Sequence, residues 1–414
     1  MQIILLEENR FDEYAINHPN YNIYQSSNYG KLMTKKGYNA YYLGLVDDSN
    51  NIHAATLIIV KNDKESTKRK MGYAPRGFLI DWKDENLVKE FTANIKEFLA
   101  NRGFTYLKLD PQIVYKSYDQ KGIEKDNGTQ SNSFINQMQN LGYIHMGFNK
   151  GKETNKSRFN SIINLSTSPV YTYNNLSKEA RNKIQEASKN GCKIYRGTSN
   201  DIGLLSELIP NISKDDFLDY YQFFNSNNIF EIYFTKLEPV SFVNSSKKQF
   251  EEEEYKNAEL TRVMQDFNVP NKDDIVNQKM ESDEKLASYK KNMMNAIALF
   301  QKFPSGIVIS ALVSIKNQKN ALFLAEGSLS DYKNLFPDYL LKWQVIQQYT
   351  NQGLSYIDCN EIDSNLTSNT CIEKKEMSTE LVEYVGEFDL VINKKGYYTG
   401  SKLNPIISWL NTPI

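Results

Sequence analysis

The chain holds 414 residues, 40% of them hydrophobic and 24% charged, with 11 prolines and a net charge of −1 from 49 Lys+Arg against 50 Asp+Glu. At roughly 150 residues per domain this length implies two or three folded units, and the composition excludes a mostly disordered chain. With charges so nearly balanced, contact with nucleic acid or a membrane must come from a local basic patch, because the field of the whole chain will not steer it.

Near the N-terminus, Ile3 to Leu6 is a short apolar run followed by Glu7 and Glu8, too short and too acidic for a signal peptide or a membrane span. No other stretch is long enough to span a bilayer, so a cytosolic protein with peripheral membrane contact is expected. Alternating apolar residues over Ala40 to Val46 and His53 to Lys61, joined through Asp47 to Asn51, predict an antiparallel hairpin. A helix is expected over Asn86 to Asn101, where Leu87, Phe91, Ile95, Phe98 and Leu99 recur at helical spacing and Gly103 sits as a left-handed stop. A strand, Thr105 to Leu109, then leads to Asp110 and Pro111. The phrase Asn101 to Leu107 returns as Asn351 to Ile357, again after a helical pattern, and a strand pair, Gly306 to Ile315 with Ala321 to Ala325, precedes the second copy. Two copies of a mixed α/β unit, helices against a sheet, follow from this repeat.

Between a strand at Ile229 to Phe234 and that second strand pair lies Ser245 to Phe300, dense in Glu, Lys, Asn and Gln. Phe250, Met264 and Phe267 give a first helix its seam, and Asn268 to Asn271 with Pro270 breaks it. Ile275, Leu286, Met293, Ile297 and Phe300 give a second helix a roughly heptad stripe. The expectation is an antiparallel helical hairpin that projects from the body, set against a helix pair lying on its surface.

The chemistry is narrowed by what is missing. Cys192, Cys359 and Cys371 are odd in number and form no close pair, which argues against a disulfide framework or a zinc cluster and suits a reducing compartment. His18, His53 and His145 lie far apart and read as structural, so no metal site is expected. Phosphate-loop, dinucleotide, serine-elbow and two-histidine zinc motifs are lacking. What remains is positioning and hydrogen bonding around a substrate that arrives already activated. Three patches qualify. Arg76, in the Pro75-Arg76-Gly77 turn, is a candidate anion clamp or a solvated surface arginine. Asp110, at a strand end, is a candidate site carboxylate or an ordinary turn residue. Lys178, Arg181, Lys183 and Lys189 make a basic helix that could meet RNA phosphates or simply face solvent.

These phrases, taken in order, resemble the FemABX family of non-ribosomal peptidyltransferases. The residues that carry the likeness are Tyr24-Gln25-Ser26, Pro75-Arg76-Gly77 with Ile80-Asp81, and Tyr106 to Pro111. They continue with Arg181, Ile184 and Ala187 before Gly191, Gly327-Ser328, Tyr339 to Trp343, and Glu383 to Asp389. The resemblance implies an α/β (α+β) fold of two tandem GNAT-like domains with an inserted coiled-coil arm. The units would span residues 1–165, then 166–244 with 301–414, and the arm 245–300. It implies transfer of an amino acid from aminoacyl-tRNA, the co-substrate, to an amine of the stem peptide of a lipid II or UDP-linked muropeptide precursor. No metal or bound cofactor is implied. The partners would be the tRNA, that precursor, the inner face of the membrane, and further copies or related transferases in an oligomer.

By the same resemblance Asp110 orients or deprotonates the acceptor, and Lys374 stabilises charge at the reacting centre. Gln25, Lys36, Arg76, Tyr106, Lys214, Gly327 and Ser328 bind substrate, while Lys178, Arg181 and Lys183 meet tRNA. The sequence also departs from the family pattern. Glu373 replaces the phenylalanine normally found before the lysine, Met33 stands at an expected lysine with Lys35 and Lys36 close by, and Lys214 stands for an arginine, losing bidentate geometry. Two other classes compete: a catalytically weak scaffold that pairs with an active relative, and an acyl-CoA N-acyltransferase, which lacks its glycine-rich pyrophosphate turn here.

Overall fold

The structure, a computed structural model, describes residues 1–61, 70–125, 131–148, 156–225, 229–265, 272–368 and 371–401. Its strands in chain order are β1 (Gln2–Leu5), β2 (Tyr38–Val46), β3 (Ile52–Lys61), β4 (Lys70–Ala74), β5 (Phe104–Leu109), β6 (Val114–Tyr118), β7 (Tyr143–His145), β8 (Phe159–Asn164), β9 (Cys192–Arg196), β10 (Phe230–Leu237), β11 (Ile307–Lys316), β12 (Asn320–Ser328), β13 (Tyr356–Glu361), β14 (Glu380–Tyr384) and β15 (Phe388–Val391). They form two mixed sheets, ordered β1-β2-β3-β4-β5-β15-β7 and β6-β14-β8-β13-β12-β11-β10-β9.

Each sheet has antiparallel neighbours and one parallel step, β4 with β5 and β12 with β13. A parallel step needs a crossover, and a helix supplies it both times: Glu85–Ala100 in the first sheet, Pro337–Asn351 in the second. The first is capped by Asp84, whose carboxylate accepts from the Leu87 amide at 2.9 Å, and it buries Val88, Phe91, Ile95 and Leu99. Past each helix the chain turns through a left-handed glycine, Gly103 at φ 73° and Gly353 at φ 79°, a conformation that excludes most side chains. The repeated phrase is therefore one supersecondary unit built twice.

The two halves interleave. β6 and β8, from the first part of the chain, pair into the second sheet, while β15, from the last part, lies between β5 and β7 in the first. A buried Lys108 on β5 fastens β15 through Glu387 at 3.0 Å and Asp389 at 2.9 Å. Three large apolar cores follow among the described residues, beside two small clusters. One packs the outer face of the first sheet on its crossover helix, through Ile58, Phe91, Ile95, Phe104 and Phe388. Another does the same for the second sheet with Ile184, Leu312, Tyr349 and Ile357. A third is shared, joining Phe11, Leu32 and Leu57 to Phe217, Phe234 and Val313. β3 thus sends Leu57 one way and Ile58 the other, which explains a strand apolar on both faces.

Two long helices, Pro239–Met264 and Lys272–Lys302, pack along each other and are rooted in the second core by Phe242, Ala296 and Leu299. Ser282 donates to Glu253 at 2.6 Å, and Asn257 donates to Asp283 at 2.8 Å, so polar groups replace apolar ones farther from the root. The stripe expected on the second helix is corrected at its end. Ile297 and Phe300 are exposed, and Ala296 and Leu299 are buried in their place, because the half-buried and buried positions Ile275, Ser282, Tyr289 and Ala296 recur at seven-residue spacing and that register reaches 296. Phe267 and the expected break at 268–271 lie outside the described residues, as do residues 402–414. Among the described residues no helix is long and apolar enough to cross a membrane.

Candidate active site at the seam between the sheets

The parallel pairing of β4 with β5 sets Ala74 opposite Leu109, so the turn after β4 and the end of β5 meet where these two central strands end. In that turn Arg76 adopts φ 52°, a left-handed conformation unusual for a residue with a side chain. Its surroundings hold it there. Asp110 accepts the Arg76 backbone N–H at 2.7 Å, and Asn22 donates to the Arg76 carbonyl at 3.2 Å. Gln25, wholly buried, donates to the Pro75 carbonyl at 2.8 Å and accepts the Leu57 amide at 2.7 Å. A β-carbon at position 77 would meet the Gln25 amide nitrogen at 3.0 Å, which is why glycine follows the arginine.

Asp110 is 3% exposed and also accepts the Tyr73 hydroxyl at 3.0 Å, while Arg76 Nη1 stands 3.7 Å from its carboxylate. Burial raises the pKa of Asp110 more than the Arg76 charge, the Arg76 amide and Tyr73 lower it. Arg76 itself is 6% exposed; its Nη2 donates to the Ser157 carbonyl at 2.8 Å and its guanidinium lies 5.0 Å from the Tyr384 ring centre. Among the described residues its Nε has no hydrogen-bond partner. Arg76 is buried at the seam, and the solvated-surface alternative fails.

The second sheet brings its own carboxylate. Asp358 on β13 accepts both oxygens' worth of contact from Asn160 Nδ2 on β8, at 2.9 and 3.1 Å, and the Asn360 amide at 2.8 Å. Burial raises its pKa as well, against Asn160, Asn360, Arg76 and Lys374, all of which lower it. Among the described residues the Asn160 Oδ1 is unpartnered, in a residue 2% exposed. Charges therefore influence one another across the seam, Asp110 and Asp358 both acting on Arg76, and Lys374 acting on Asp358.

Lys374, on the helix Ile372–Met377, is half-buried; it donates to the Glu361 carbonyl at 3.1 Å and lies 3.8 Å from Glu326. Beside it Lys342, 2% exposed, sits 2.6 Å from Glu326 and 3.0 Å from Glu373. The departure at position 373 thus supplies a counter-ion to a buried lysine. Burial pushes Glu373 up to about 7 despite Lys342, whereas at Glu326 the two lysines outweigh burial and lower the pKa. Ser328 donates to Asp338 at 2.8 Å on the edge of this cluster, and Gly327 lies against the Leu208 carbonyl, which a β-carbon would approach to 2.2 Å.

The remaining expected residues lie elsewhere. Lys36 pairs with Asp216 at 2.8 Å and Lys35 with Asp219 at 2.5 Å, bridging the helices Ser27–Lys35 and Lys214–Phe224, and Met33 is buried in the shared core. Lys214 is exposed at the start of its helix. Tyr106 is half-buried and edge-on to Tyr397, ring centres 5.2 Å apart. In the basic helix Lys178 is exposed, but Arg181 donates to the Asn174 and Leu176 carbonyls at 2.7 and 3.0 Å, and Lys183 pairs with Glu376 at 2.8 Å. Sequence reasoning missed Asp358, Asn160, Lys156, Glu326 and Lys342. The repeat did not announce Asp358, because it lies inside the strand that follows Gly353, and the position equivalent to Asp110, seven residues after the glycine, is Asn360.

Comparison with known proteins supplies the last observation. The FemAB family profile matches residues 6–403. Aminoacyltransferase FemA of Staphylococcus aureus (strain bovine RF122 / ET3-1) is 23% identical over 423 residues, covering 97% of this chain and 98% of that protein. The FemA of strain MRSA252 is 22% identical over the same shares. The crystal structure of FemX superposes with a TM-score of 0.73 at 17% identity, over 96% of this chain and 99% of that one. With a family match from end to end and a shared fold, the chain belongs to the FemAB family.

Proposed function

We propose that the protein is an aminoacyltransferase that moves an amino acid from aminoacyl-tRNA onto an amine of the stem peptide of a peptidoglycan precursor, building the interpeptide bridge. The observation that carries this reading is the correspondence with FemA aminoacyltransferases over 97% of the chain. The seam suits the chemistry. An aminoacyl ester is already activated, so the protein must hold an amine against the carbonyl, accept a proton and offset the negative charge that develops on oxygen. That reaction calls for no resident metal or cofactor. Asp358 and Asp110 supply negative charge for an incoming ammonium, and Arg76 and Lys374 supply positive charge for an oxyanion. Asp110 orients rather than deprotonates, because its oxygens already accept from the Arg76 amide and Tyr73.

Two GNAT-like units with a coiled-coil arm are the architecture we infer, on the ground that each sheet repeats the same parallel step and the long helix pair interrupts the second half. The precursor is lipid-linked or nucleotide-linked, met at the cytoplasmic face of the membrane. A second reading, a scaffold with little activity of its own, draws on Lys36 and Lys35, whose charges are engaged by Asp216 and Asp219. Mass analysis of stem peptides from cells with and without the gene decides between function and none: loss of whole amino-acid residues from the bridge is expected, and identical stem peptides overturn the proposal. A Lys374→Ala strain that keeps the normal bridge favours the scaffold.

A further inference from the structure

Lys342 is too deeply buried, at 2% exposure, to touch a substrate, yet it stands one carboxylate away from Lys374. It belongs to the helix Pro337–Asn351 and joins two other elements, meeting Glu326 of β12 at 2.6 Å and Glu373 of the helix Ile372–Met377 at 3.0 Å. Glu326 divides its oxygens between two lysines. Oε2 meets Lys342, and Oε1 stops 3.8 Å short of Lys374 Nζ, which donates instead to the Glu361 carbonyl at 3.1 Å. Against burial, Lys342 does more than Lys374 to keep Glu326 ionised. The other carboxylates of this region are engaged elsewhere: Asp338 accepts from Ser328 at 2.8 Å, and Asp358 accepts from Asn160 at 2.9 Å and the Asn360 amide at 2.8 Å. Glu373, next to Lys374 on one helix, points away from it.

We propose that Lys342 is a positioning residue for Lys374: by holding Glu326 it keeps that carboxylate from closing on the Lys374 ammonium, whose charge then stays available to a developing oxyanion. The role rests on the aminoacyl-transfer reading above. An ammonium–carboxylate hydrogen bond forms at about 2.7–2.9 Å, so the 3.8 Å separation falls short of one. Without Lys342, Glu326 has one ammonium left in reach and closes by about 1 Å to take it. A paired Lys374 offsets less of the charge that builds on the ester oxygen. The helix that carries Lys374 stays in place meanwhile, because Glu376 ties it to Lys183 at 2.8 Å and to the Tyr339 hydroxyl at 2.6 Å. The effect of Lys342 on transfer is therefore one of charge, separable from its part in packing.

The test uses the full-length protein and sets charge against packing. Lys342→Leu with Glu373→Phe removes the buried pair together and keeps the fold, which circular dichroism and the urea midpoint check. That stable double variant should still lose about 10–100-fold in kcat, with KM for charged tRNA little changed, because Glu326 is released onto Lys374. Adding Glu326→Gln should return most of the lost kcat. A folded double variant as fast as the wild type, or a triple variant no faster than the double, overturns the role. Should the double variant fail to fold, Lys342→Arg keeps the charge that holds Glu326 and should retain kcat, and a natively folded Lys342→Arg with the 10–100-fold loss contradicts the proposal. Labelling with acetic anhydride, read by peptide mass, gives a measure independent of transfer. Reactivity of Lys374 relative to the exposed Lys178 should fall about two- to fivefold in the double variant, the range of a partly exposed ion pair, and recover in the triple; equal labelling in all three proteins overturns the coupling. A wild-type protein that transfers nothing counts against the function reading instead, and the labelling then judges whether Lys342 governs Lys374.

Discussion

Asp110 illustrates how one side chain can shape its surroundings as well as carry charge. It holds a left-handed Arg76 by the backbone and balances its guanidinium, so Asp110→Asn replaces an acceptor with a donor facing the Arg76 amide or the Tyr73 hydroxyl. Transfer should fall by about 10², with a lowered melting temperature; an unchanged rate would remove Asp110 from the site. The Lys342 cluster gives a second residue-level test. Glu373→Phe removes the carboxylate and leaves Lys342 with Glu326 alone, which should cost about 3 kcal/mol, while Lys342→Leu with Glu373→Phe should recover most of it. Additive losses in a urea-denaturation cycle would show that the pair is not coupled. The pH dependence has a definite sign. The folded-state pKa of Glu373 is raised to about 7, so its contribution favours the folded state below the usual carboxylate range and is lost as pH rises through 7. The melting temperature of the wild type relative to Glu373→Gln should therefore decline between pH 5 and pH 8, and a constant difference would contradict it.

Among elements, β15 does the most to define the fold. Phe388 and Leu390 are fully buried in a strand that pairs with β5 on one side and β7 on the other. Leu390→Ala should cost about 2–5 kcal/mol. Because the halves exchange strands, the loss should be felt in both. With Trp409 replaced, Trp82 and Trp343 can each be kept alone as a fluorescent probe, and their urea transitions should coincide and shift together; two separated transitions would mean independent units. This strand also marks the limit of what the sequence made legible. The hairpin β2–β3, the helix Glu85–Ala100 and the long helix pair were readable because their signals are local: alternation, helical spacing and a capping glycine. The pairing of β15 with β5 joins residues far apart in the chain, 279 positions for Lys108 and Glu387, and no local pattern announces it. Lys156 was hidden for a related reason. It follows Lys150 and Lys152 in a polar stretch that reads as solvated charge, and only the fold brings the Tyr24 ring, from a distant segment, to 3.8 Å from its Nζ. Asp110 and Arg76 were noticed, but burial settled what composition left open.

For the molecule as a whole, the seam and the helix pair divide the work. The pair is rooted by Phe242, Ala296 and Leu299, and its outer part presents polar faces that suit a large partner such as tRNA. Replacing residues 248–292 with a short linker should leave the body folded and weaken tRNA binding measured by filter retention; undiminished affinity would place tRNA elsewhere, on the exposed Lys178 side. The central claim is that two sheets meet to hold an activated ester beside an amine. Its most direct test is a reconstituted reaction of purified protein, a pool of charged tRNAs and the lipid-linked precursor, read by mass spectrometry. The account predicts a product heavier by whole amino-acid residues that disappears when the tRNA is deacylated. No product from any charged tRNA with natively folded protein, or a product that forms with acyl-CoA in place of tRNA, would contradict it.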